Sequence, residues 1–305
     1  MLITITPFMR LCQNIALYNF IKLYKLSFNT ALCYSKKMKL LFYFIFPLFI
    51  CPANAQNLEV VNLRIHYTAM FKKWETASHI SQDEKILDVG KNISKFYSLW
   101  ETRNEEIKDS ILKLGGSFQD VQKALQASPY PRSYQYYAIY KNYPQKGLLT
   151  YTDKEFKEYI YEETLERPKW EVSTEEECTI AGYQCQKAQT KFRGRTWYAW
   201  FTIDIPISDG PWKLCGLPGL ILKAEDAKGD FLFECIQIEN KDKEVITLPK
   251  HKYIKCTLEK LKQIKIQIAK DPNGYLKQLG YDSGEGHGMN GKPLKYNKTP
   301  ILLEY

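Results

Sequence analysis

Apolar and polar residues alternate over several stretches of this chain of 305 residues, which is the pattern of strands with one buried face. Residues 58–70 give the clearest example, because every second side chain there is apolar or aromatic. That face carries Val61, Leu63, Ile65, Tyr67 and Ala69. The same alternation, with many β-branched and aromatic residues, predicts further strands. They are expected at residues 84–90, 94–100, 134–140, 147–153, 177–192, 195–207 and 219–240, with hairpin turns near Ala181-Gly182 and Ala227-Lys228-Gly229.

A charged segment between the predicted strands has helical spacing instead. Its apolar residues Ile107, Ile111, Leu112 and Leu114 recur at helical intervals. Gly115-Gly116 interrupts this pattern, and Ser117 is placed to cap a second short helix. We therefore expect a helical insertion at residues 103–127.

The C-terminal part of the chain predicts one more helix, at residues 257–270. The turn sequence Asp271-Pro272-Asn273-Gly274 is expected to end it. Residues 283–305 are rich in glycine, lysine and asparagine, and we interpret them as a flexible tail.

These elements together predict a mainly β protein of the α+β class. We expect an antiparallel, strongly curved sheet or an open barrel, with a helical insertion and a C-terminal helix. Residues 56–282 are interpreted as a single domain, and no repeat of solenoid length occurs. A half-barrel of this kind would expose a concave apolar face.

The N-terminus has the layout of a secretory signal. Lys36, Lys37 and Lys39 precede the apolar run 40–50, and Ala53-Asn54-Ala55 is an A-x-A cleavage site. We interpret residues 38–55 as a signal peptide, residues 1–37 as an over-extended start, and Gln56 as the first mature residue. Lipidation of Cys51 is disfavoured because Ile50 precedes it, and a membrane anchor because the run is too short. The mature chain is therefore expected to be periplasmic, cell-surface or secreted, without a transmembrane segment.

The net charge of +9 gives little support to nucleic-acid binding. Six of the 43 basic residues lie in residues 1–55, which contain no acidic residue, so 37 basic residues remain against 34 acidic ones. This balance is too even for a nucleic-acid surface.

The stretch GPWKLCGLPGLILKAED, residues 210–226, contains the hexapeptide Gly216-Leu217-Pro218-Gly219-Leu220-Ile221. With this hexapeptide, GYQCQKA at 182–188, FRGRTWYAWFTIDIPISDGPWK at 192–213 and SKFYS at 94–98, the chain resembles the GLPGLI family, secreted proteins of certain Gram-negative bacteria. The resemblance extends over most of residues 58–240. It implies an exported β-rich protein and carries over no biochemical activity.

The hexapeptide itself is interpreted as a corner of the backbone. Pro218-Gly219 suits a type II turn in which Gly219 takes a positive φ, while Gly216 would allow a close backbone approach. Leu220, Ile221 and Leu222 would then begin a buried strand. A phosphate-binding loop is disfavoured, since the lysine and hydroxyl of such loops are missing and a strand follows.

Charged and aromatic residues around this corner are the candidate ligand-binding residues. The two-faced strand 195–207 could place them along a groove for an apolar or aromatic ligand, with packing and surface arginines as the alternative explanation. The candidates are Arg193, Arg195, Trp197, Trp200, Asp204, Trp212 and Lys213, of which Arg195, Asp204, Trp212 and Lys213 are expected at the rim.

Five cysteines remain in the mature chain, and export permits disulfides. Cys178 and Cys185 face each other if the hairpin turns at Ala181-Gly182, so a disulfide can form there. Cys185–Cys215, Cys215–Cys235 and free thiols are the alternatives.

No metal, cofactor or catalytic site is predicted. The G-x-S-x-G and H-E-x-x-H patterns are missing, and His287 and Met289 are interpreted as part of the tail. We expect an exported cell-envelope protein that binds a hydrophobic ligand, a peptide or a partner protein without catalysis. The alternatives are a secreted hydrolase that acts on peptides or glycans, and a structural accessory of an outer-membrane receptor.

Overall fold

The structure is a computed structural model that describes residues 56–281 and 298–304. Within them the chain forms fourteen strands and four helices. The strands are β1 Gln56–Val60, β2 Leu63–Phe71, β3 Ser81–Val89, β4 Ser94–Ser98, β5 Ala138–Lys141, β6 Leu148–Glu155, β7 Lys157–Thr164, β8 Glu171–Ile180, β9 Tyr183–Phe192, β10 Arg195–Thr202, β11 Leu220–Asp226, β12 Phe231–Asn240, β13 Val245–Leu248 and β14 Ile254–Lys255. The helices are α1 Leu99–Lys113, α2 Phe118–Gln126, α3 Leu258–Lys270 and α4 Pro272–Gln278.

Twelve strands form one open sheet in the order β14-β7-β6-β5-β4-β3-β2-β12-β11-β10-β9-β8. Every neighbouring pair is antiparallel except β14 and β7, and β14 and β8 are the two ends of the order. Strands β1 and β13 pair separately as a small second sheet. The prediction of a mainly β, antiparallel fold is confirmed, in the open form rather than as a closed barrel.

The large sheet is strongly curved. Arg193, in the turn between β9 and β10, forms an ion pair with Glu163 of β7, with Nη1 and Oε2 3.1 Å apart. In the sheet order β7 and β9 are separated by eight strands. Only a sheet that bends back on itself can bring such distant strands into contact. Its concave side therefore encloses the main apolar core.

The core follows from the alternation of side chains along the strands. In β2 the buried side chains Ile65, Tyr67, Ala69 and Phe71 are two residues apart, as the sequence predicts. Strand β11 lies between β10 and β12, and its first three residues, Leu220, Ile221 and Leu222, are fully buried. Burial of side chains of this size contributes about 1.5–3 kcal/mol each to stability.

The helical insertion is confirmed, with a different start. Helix α1 begins at Leu99 because the Ser98 hydroxyl accepts a hydrogen bond from the Glu101 N–H, so the strand predicted to reach residue 100 ends at Ser98. Ser117 caps α2 in a reciprocal arrangement with Asp120, as predicted. No buried side chain of α1 or α2 belongs to the main core.

The C-terminal helix is confirmed at α3, capped by Thr257. The predicted stop at Asp271 ends α3, but Asp271 also caps the short helix α4 by accepting from the Gly274 N–H. The flexible segment predicted for residues 283–305 lies mostly outside the described residues. Residues 298–304 differ from that prediction, since Glu304 is buried and Ile301 and Leu303 pack against the main core.

The predicted signal peptide and the upstream residues 1–37 lie outside the described residues. Among the described helices, none has the length and apolar character needed to cross a membrane.

Candidate functional site

The hexapeptide forms a corner in which its two glycines exchange their predicted roles. Gly216 has a positive φ of 98° and Gly219 does not, so the predicted type II turn with a positive φ at Gly219 is wrong. A Cβ on Gly219 would lie 1.9 Å from the backbone oxygen of Thr202. Gly219 is therefore the position of close backbone approach, and Gly216 is the position that needs left-handed geometry.

The prediction that the corner begins an interior strand is confirmed. The N–H groups of Leu220 and Ile221 donate to the carbonyls of Ile205 and Asp209, so the corner loop, residues 203–219, is itself paired with the start of β11. The Tyr67 hydroxyl donates to the Ile221 carbonyl at 2.7 Å. This contact ties the corner to β2 across the core.

Two buried lysines hold the corner loop. Lys141 of β5 forms an ion pair with Asp209 and donates to the carbonyls of Gly210 and Leu214 at 2.7 and 3.1 Å. Lys213 lies in the loop itself and reaches outward to other elements. Buried ammonium groups need several acceptors to offset desolvation, and here they find them in backbone carbonyls and carboxylates.

Lys213 is the centre of a buried ion network. Its residue is 1% exposed, and its Nζ lies 2.7 Å from Glu304 Oε1 and 2.7 Å from Glu163 Oε1. The Tyr161 hydroxyl accepts a further hydrogen bond from it at 3.0 Å. Arg193 pairs with the same two carboxylates, and its Nη1 lies 3.1 Å from Glu163 Oε2 and 3.6 Å from Glu304 Oε2. Arg193 also pairs with the exposed Glu166, with Nε and Oε2 3.2 Å apart, so the network contains two cations and three carboxylates.

Arg195 is also buried rather than at a rim. Its Nη1 lies 2.6 Å from Asp226 Oδ2 and 3.1 Å from Asp230 Oδ2, and its Nη2 donates to the Leu302 carbonyl at 2.6 Å. Trp212 is fully buried and packs against Trp197 with ring centroids 5.4 Å apart. Arg195, Trp212 and Lys213 thus support the core and its ion pairs, in contrast to the rim expected from the sequence.

Two of the predicted candidates lie apart from this group. Trp200 points to the other face of β10, where Lys187 and Lys223 lie 5.5 and 5.0 Å from its ring. Asp204 is exposed. The structure therefore brings together Arg193 with Lys213 and Trp197 with Trp212, but leaves Trp200 and Asp204 outside.

The hairpin that was predicted to carry a disulfide has the expected register. Cys178 lies directly opposite Cys185, and all five described cysteines are free thiols in the structure. Burial raises the pKa of Cys185 to about 11 and of Cys235 to about 12. These thiols stay protonated at neutral pH, so they lack the thiolate that a cysteine nucleophile requires.

A cavity of about 250 Å³ lies on the concave side of the sheet, next to the Lys213 network. Its walls come from the sheet, the adjoining segments 72–74 and 134–137, helix α3, and the C-terminal residues 300–304. Helix α3 contributes Leu258, Leu261 and Ile268 at helical spacing. We call this space the tyrosine cavity, after the residues on its sheet side.

Three stacked tyrosines line the sheet side of the tyrosine cavity. Tyr137 and Tyr151 have ring centroids 5.6 Å apart and an interplanar angle of 19°, and Tyr151 and Tyr161 lie 4.9 Å apart at 17°. Residue Tyr151 is the register partner of Tyr161, which explains the closer contact. Stacked rings of this kind offer a flat aromatic surface to a ligand.

Two buried polar atoms of cavity-lining residues lack a partner among the described residues. They are the Tyr137 hydroxyl and the Gln135 side-chain oxygen. Burial raises the pKa of Tyr137 well above its usual range, so this hydroxyl remains a neutral donor. Buried polar atoms without a hydrogen bond are uncommon and costly, and these two make the wall beside the cavity locally polar.

Both carboxylates of the tyrosine cavity are already neutralised. Glu304 pairs with Lys213, and Glu155 pairs with Lys265 at 2.8 Å. No group of three or more potential metal ligands occurs within residues 56–281 and 298–304. The arrangement therefore supports binding through aromatic contact and hydrogen bonding.

The fold and the cavity together define a class of protein: an open, curved antiparallel sheet that encloses a small aromatic cavity. Within the chain, residues 191–223 match the model of a family described as "Protein of unknown function (Porph_ging)". The match runs from the end of β9 through β10 and the corner loop into β11. No curated protein matches the chain.

Two solved structures of PNGF-II, in different space groups, are similar to the chain at 15% identity. Their TM-scores are 0.45 and 0.42, and each covers 67% of this chain. This chain spans 33% and 32% of their length, so it corresponds to about a third of those proteins.

Proposed function

We propose that this chain is an exported cell-envelope protein of the GLPGLI type that binds a small apolar or amphipathic molecule without transforming it. The binding site in this proposal is the tyrosine cavity rather than the residues of the corner loop. The corner loop and the Lys213 network have the supporting role of holding the cavity walls in place. The hydrolase and receptor-accessory alternatives stay predictions, since nothing in the described residues favours them.

The observation that carries the proposal is the combination, in one cavity, of a stacked aromatic wall with the apolar side chains of α3. Ligand sites in proteins are mostly apolar, with a few placed polar groups that fix orientation. The tyrosine cavity has this composition, with Tyr137, Tyr151 and Tyr161 on one side and α3 on the other. Its volume of about 250 Å³ lies below the roughly 300–1,000 Å³ of drug-sized sites, so it suits one short chain or ring system.

Filling the cavity tests the proposal. We expect the purified mature protein to bind the neutral fluorescent probe N-phenyl-1-naphthylamine, and Ile268→Trp to abolish the fluorescence gain. Ile268 lines the cavity from α3, so an indole there occupies the ligand space. Ile266→Trp is the matched control, because Ile266 belongs to the same helix and does not line the cavity.

Circular dichroism of both variants separates loss of binding from loss of folding. The proposal predicts equal spectra, with binding retained only in Ile266→Trp. If the folded wild-type protein gives no fluorescence gain, or if Ile268→Trp binds as well as wild type, the cavity is not a ligand site.

The proposed export has a separate test. Cleavage after Ala55 leaves a chain that begins at Gln56, so the intact mass of the protein from the periplasm or medium of a Gram-negative host should correspond to residues 56–305. Ala55→Asp, which removes the small residue at the cleavage site, should leave a longer, unprocessed chain. Recovery of the wild-type chain only from the cytosol, at full length, would contradict export.

A further inference from the structure

The tyrosine cavity has four lysines in its lining, and their pairing is unequal. Three of them have a carboxylate partner among the described residues. These pairs are Lys72 with Asp230, Lys262 with Glu259, and Lys265 with Asp153 and Glu155. The fourth, Lys73, has no carboxylate within 4.0 Å of its Nζ in the described part of the chain.

Lys73 is held in place at one end of the cavity. It lies in the connection between β2 and β3, where its carbonyl accepts a hydrogen bond from the Ile301 N–H at 3.0 Å. Its ammonium group lies over the ring of Tyr134, which also lines the cavity. The Arg132 guanidinium lies 5.5 Å from the same ring. Two cations therefore share one aromatic ring at the cavity edge.

A third cation lies at the same edge. The Lys298 N–H donates to the Ala269 carbonyl at 3.1 Å, and its Nζ lies 5.4 Å from the ring of Trp74, another lining residue. Burial, together with the positive charges of Arg132 and Lys298, lowers the pKa of Lys73 to about 8. Arg132 and Lys298 thus each repel the ammonium group of Lys73. We call Lys73, Arg132 and Lys298 the basic rim.

We infer that the ligand of the tyrosine cavity is an amphiphile with an anionic headgroup, a carboxylate or a phosphate, on one short acyl chain or aromatic ring system. The inference rests on the proposed function of the cavity. The apolar part lies against the stacked tyrosines and α3, and the anion lies at the basic rim. An anion there relieves the repulsion that Arg132 and Lys298 exert on Lys73 and gains charge-assisted hydrogen bonds. Lysine ammonium groups act as point charges and can bind either a carboxylate or a phosphate.

Competitors that differ only in their headgroup test this inference. Decanoate, decyl phosphate, 1-decanol and decylamine, each below its critical micelle concentration, are titrated against the protein with bound N-phenyl-1-naphthylamine. We expect the preferred anion to displace the probe at about tenfold lower concentration than 1-decanol, as one charge-assisted contact would give. Decylamine should be the weakest competitor. The comparison of decanoate with decyl phosphate identifies the headgroup.

Two matched lysine variants then locate the charge. Lys73→Met should weaken the binding of the preferred anion by about tenfold and leave the binding of 1-decanol unchanged. Lys262→Met removes a cavity lysine that already has a partner, so the anion preference should persist. Arg132→Gln, at an exposed position, is a second variant of the basic rim that leaves the core intact and should act in the same direction as Lys73→Met.

The contrary results are distinct. If the neutral probe and 1-decanol bind but the anions compete no better, the anionic ligand is wrong while the proposed cavity function stands. If no probe or competitor binds, both are wrong. Anionic phospholipid vesicles that bind wild type and Ile268→Trp equally, with no amphiphile binding, would make the basic rim a membrane-facing patch and overturn the inference.

Discussion

At the scale of single residues, the corner loop shows that two glycines in one motif can be required for different reasons. Gly216 is required for its backbone angle, with φ at 98° and no atom nearer than 3.5 Å to an added Cβ. Gly219 is required for space, because the Thr202 carbonyl occupies the position of its missing side chain. The sequence predicts that both are special, but it assigns the two reasons the wrong way round.

Substitution can separate these two reasons. Gly219→Ala should destabilise the protein by about 3 kcal/mol, since the backbone of β10 must move to admit the methyl group. Gly216→Ala should cost about 1–2 kcal/mol, because it only places an L-residue in the left-handed region. Urea denaturation of both variants measures the two costs.

Asparagine gives the sharper comparison for the same glycines, since it tolerates left-handed angles. Gly216→Asn should be milder than Gly216→Ala, whereas Gly219→Asn should be at least as harmful as Gly219→Ala. A mild effect of Gly219→Asn on stability would instead support the type II turn, with a positive φ at Gly219, that the sequence predicts.

At the scale of elements, the strands could be predicted because one-sided burial imposes a period of two. Strands β2 and β11 lie where the sequence pattern places them, and the β8–β9 hairpin turns at Ala181-Gly182 as predicted, although β8 begins at Glu171 rather than at residue 177. The start of helix α1 was harder to predict, because the aromatic run at residues 94–100 has the pattern of a strand throughout. In the structure the strand ends at Ser98, which caps the helix. The alternating pattern of a strand and the N-cap signal of a helix overlap at these residues. The sequence alone therefore does not fix the boundary between β4 and α1.

The candidate site could be predicted only in part, since it depends on contacts between distant segments. Tyr137 directly precedes β5, Tyr151 lies in β6, and Tyr161 lies in β7, a strand that the alternation does not predict; their stacking requires the pairing of these strands. The helical spacing of α3 was visible, but not the surface that it covers. Arg195 and Lys213 resemble rim charges in the sequence because their buried partners Asp226 and Glu304 come much later in the chain.

At the scale of the whole described domain, an open curved sheet must cover its own concave face. Helix α3, the corner loop and residues 298–304 do so, and the Lys213 network links the corner loop with residues 298–304. It joins the corner loop to the end of β7 through Glu163, and to the C-terminal residues through Glu304. Since these segments are far apart in sequence, we expect the network to contribute to the cooperativity of the fold.

A double-mutant cycle on Lys213 and Glu304 measures that contribution. Lys213→Met leaves Glu163 and Glu304 opposite the single cation of Arg193, which also pairs with Glu166, and should cost about 3–5 kcal/mol. The double variant Lys213→Met/Glu304→Gln also removes the buried charge of Glu304, which leaves Arg193 with Glu163 and the exposed Glu166. It should therefore be more stable than Lys213→Met alone, with a coupling energy of about 1–3 kcal/mol from urea denaturation.

The pair Lys262–Glu259, 3.1 Å apart and with only its carboxylate exposed, is the matched control for this cycle. Lys262→Met should change stability by less than about 1 kcal/mol, because Glu259 is largely exposed to solvent. If Lys213→Met costs no more than this control, the buried network does not stabilise the cover of the concave face. If the double variant is the least stable of the set, Glu304 acts through its packing rather than through its charge. Either result would move the stabilising role from the ion network to the apolar contacts of Ile301 and Leu303, which pack beside it.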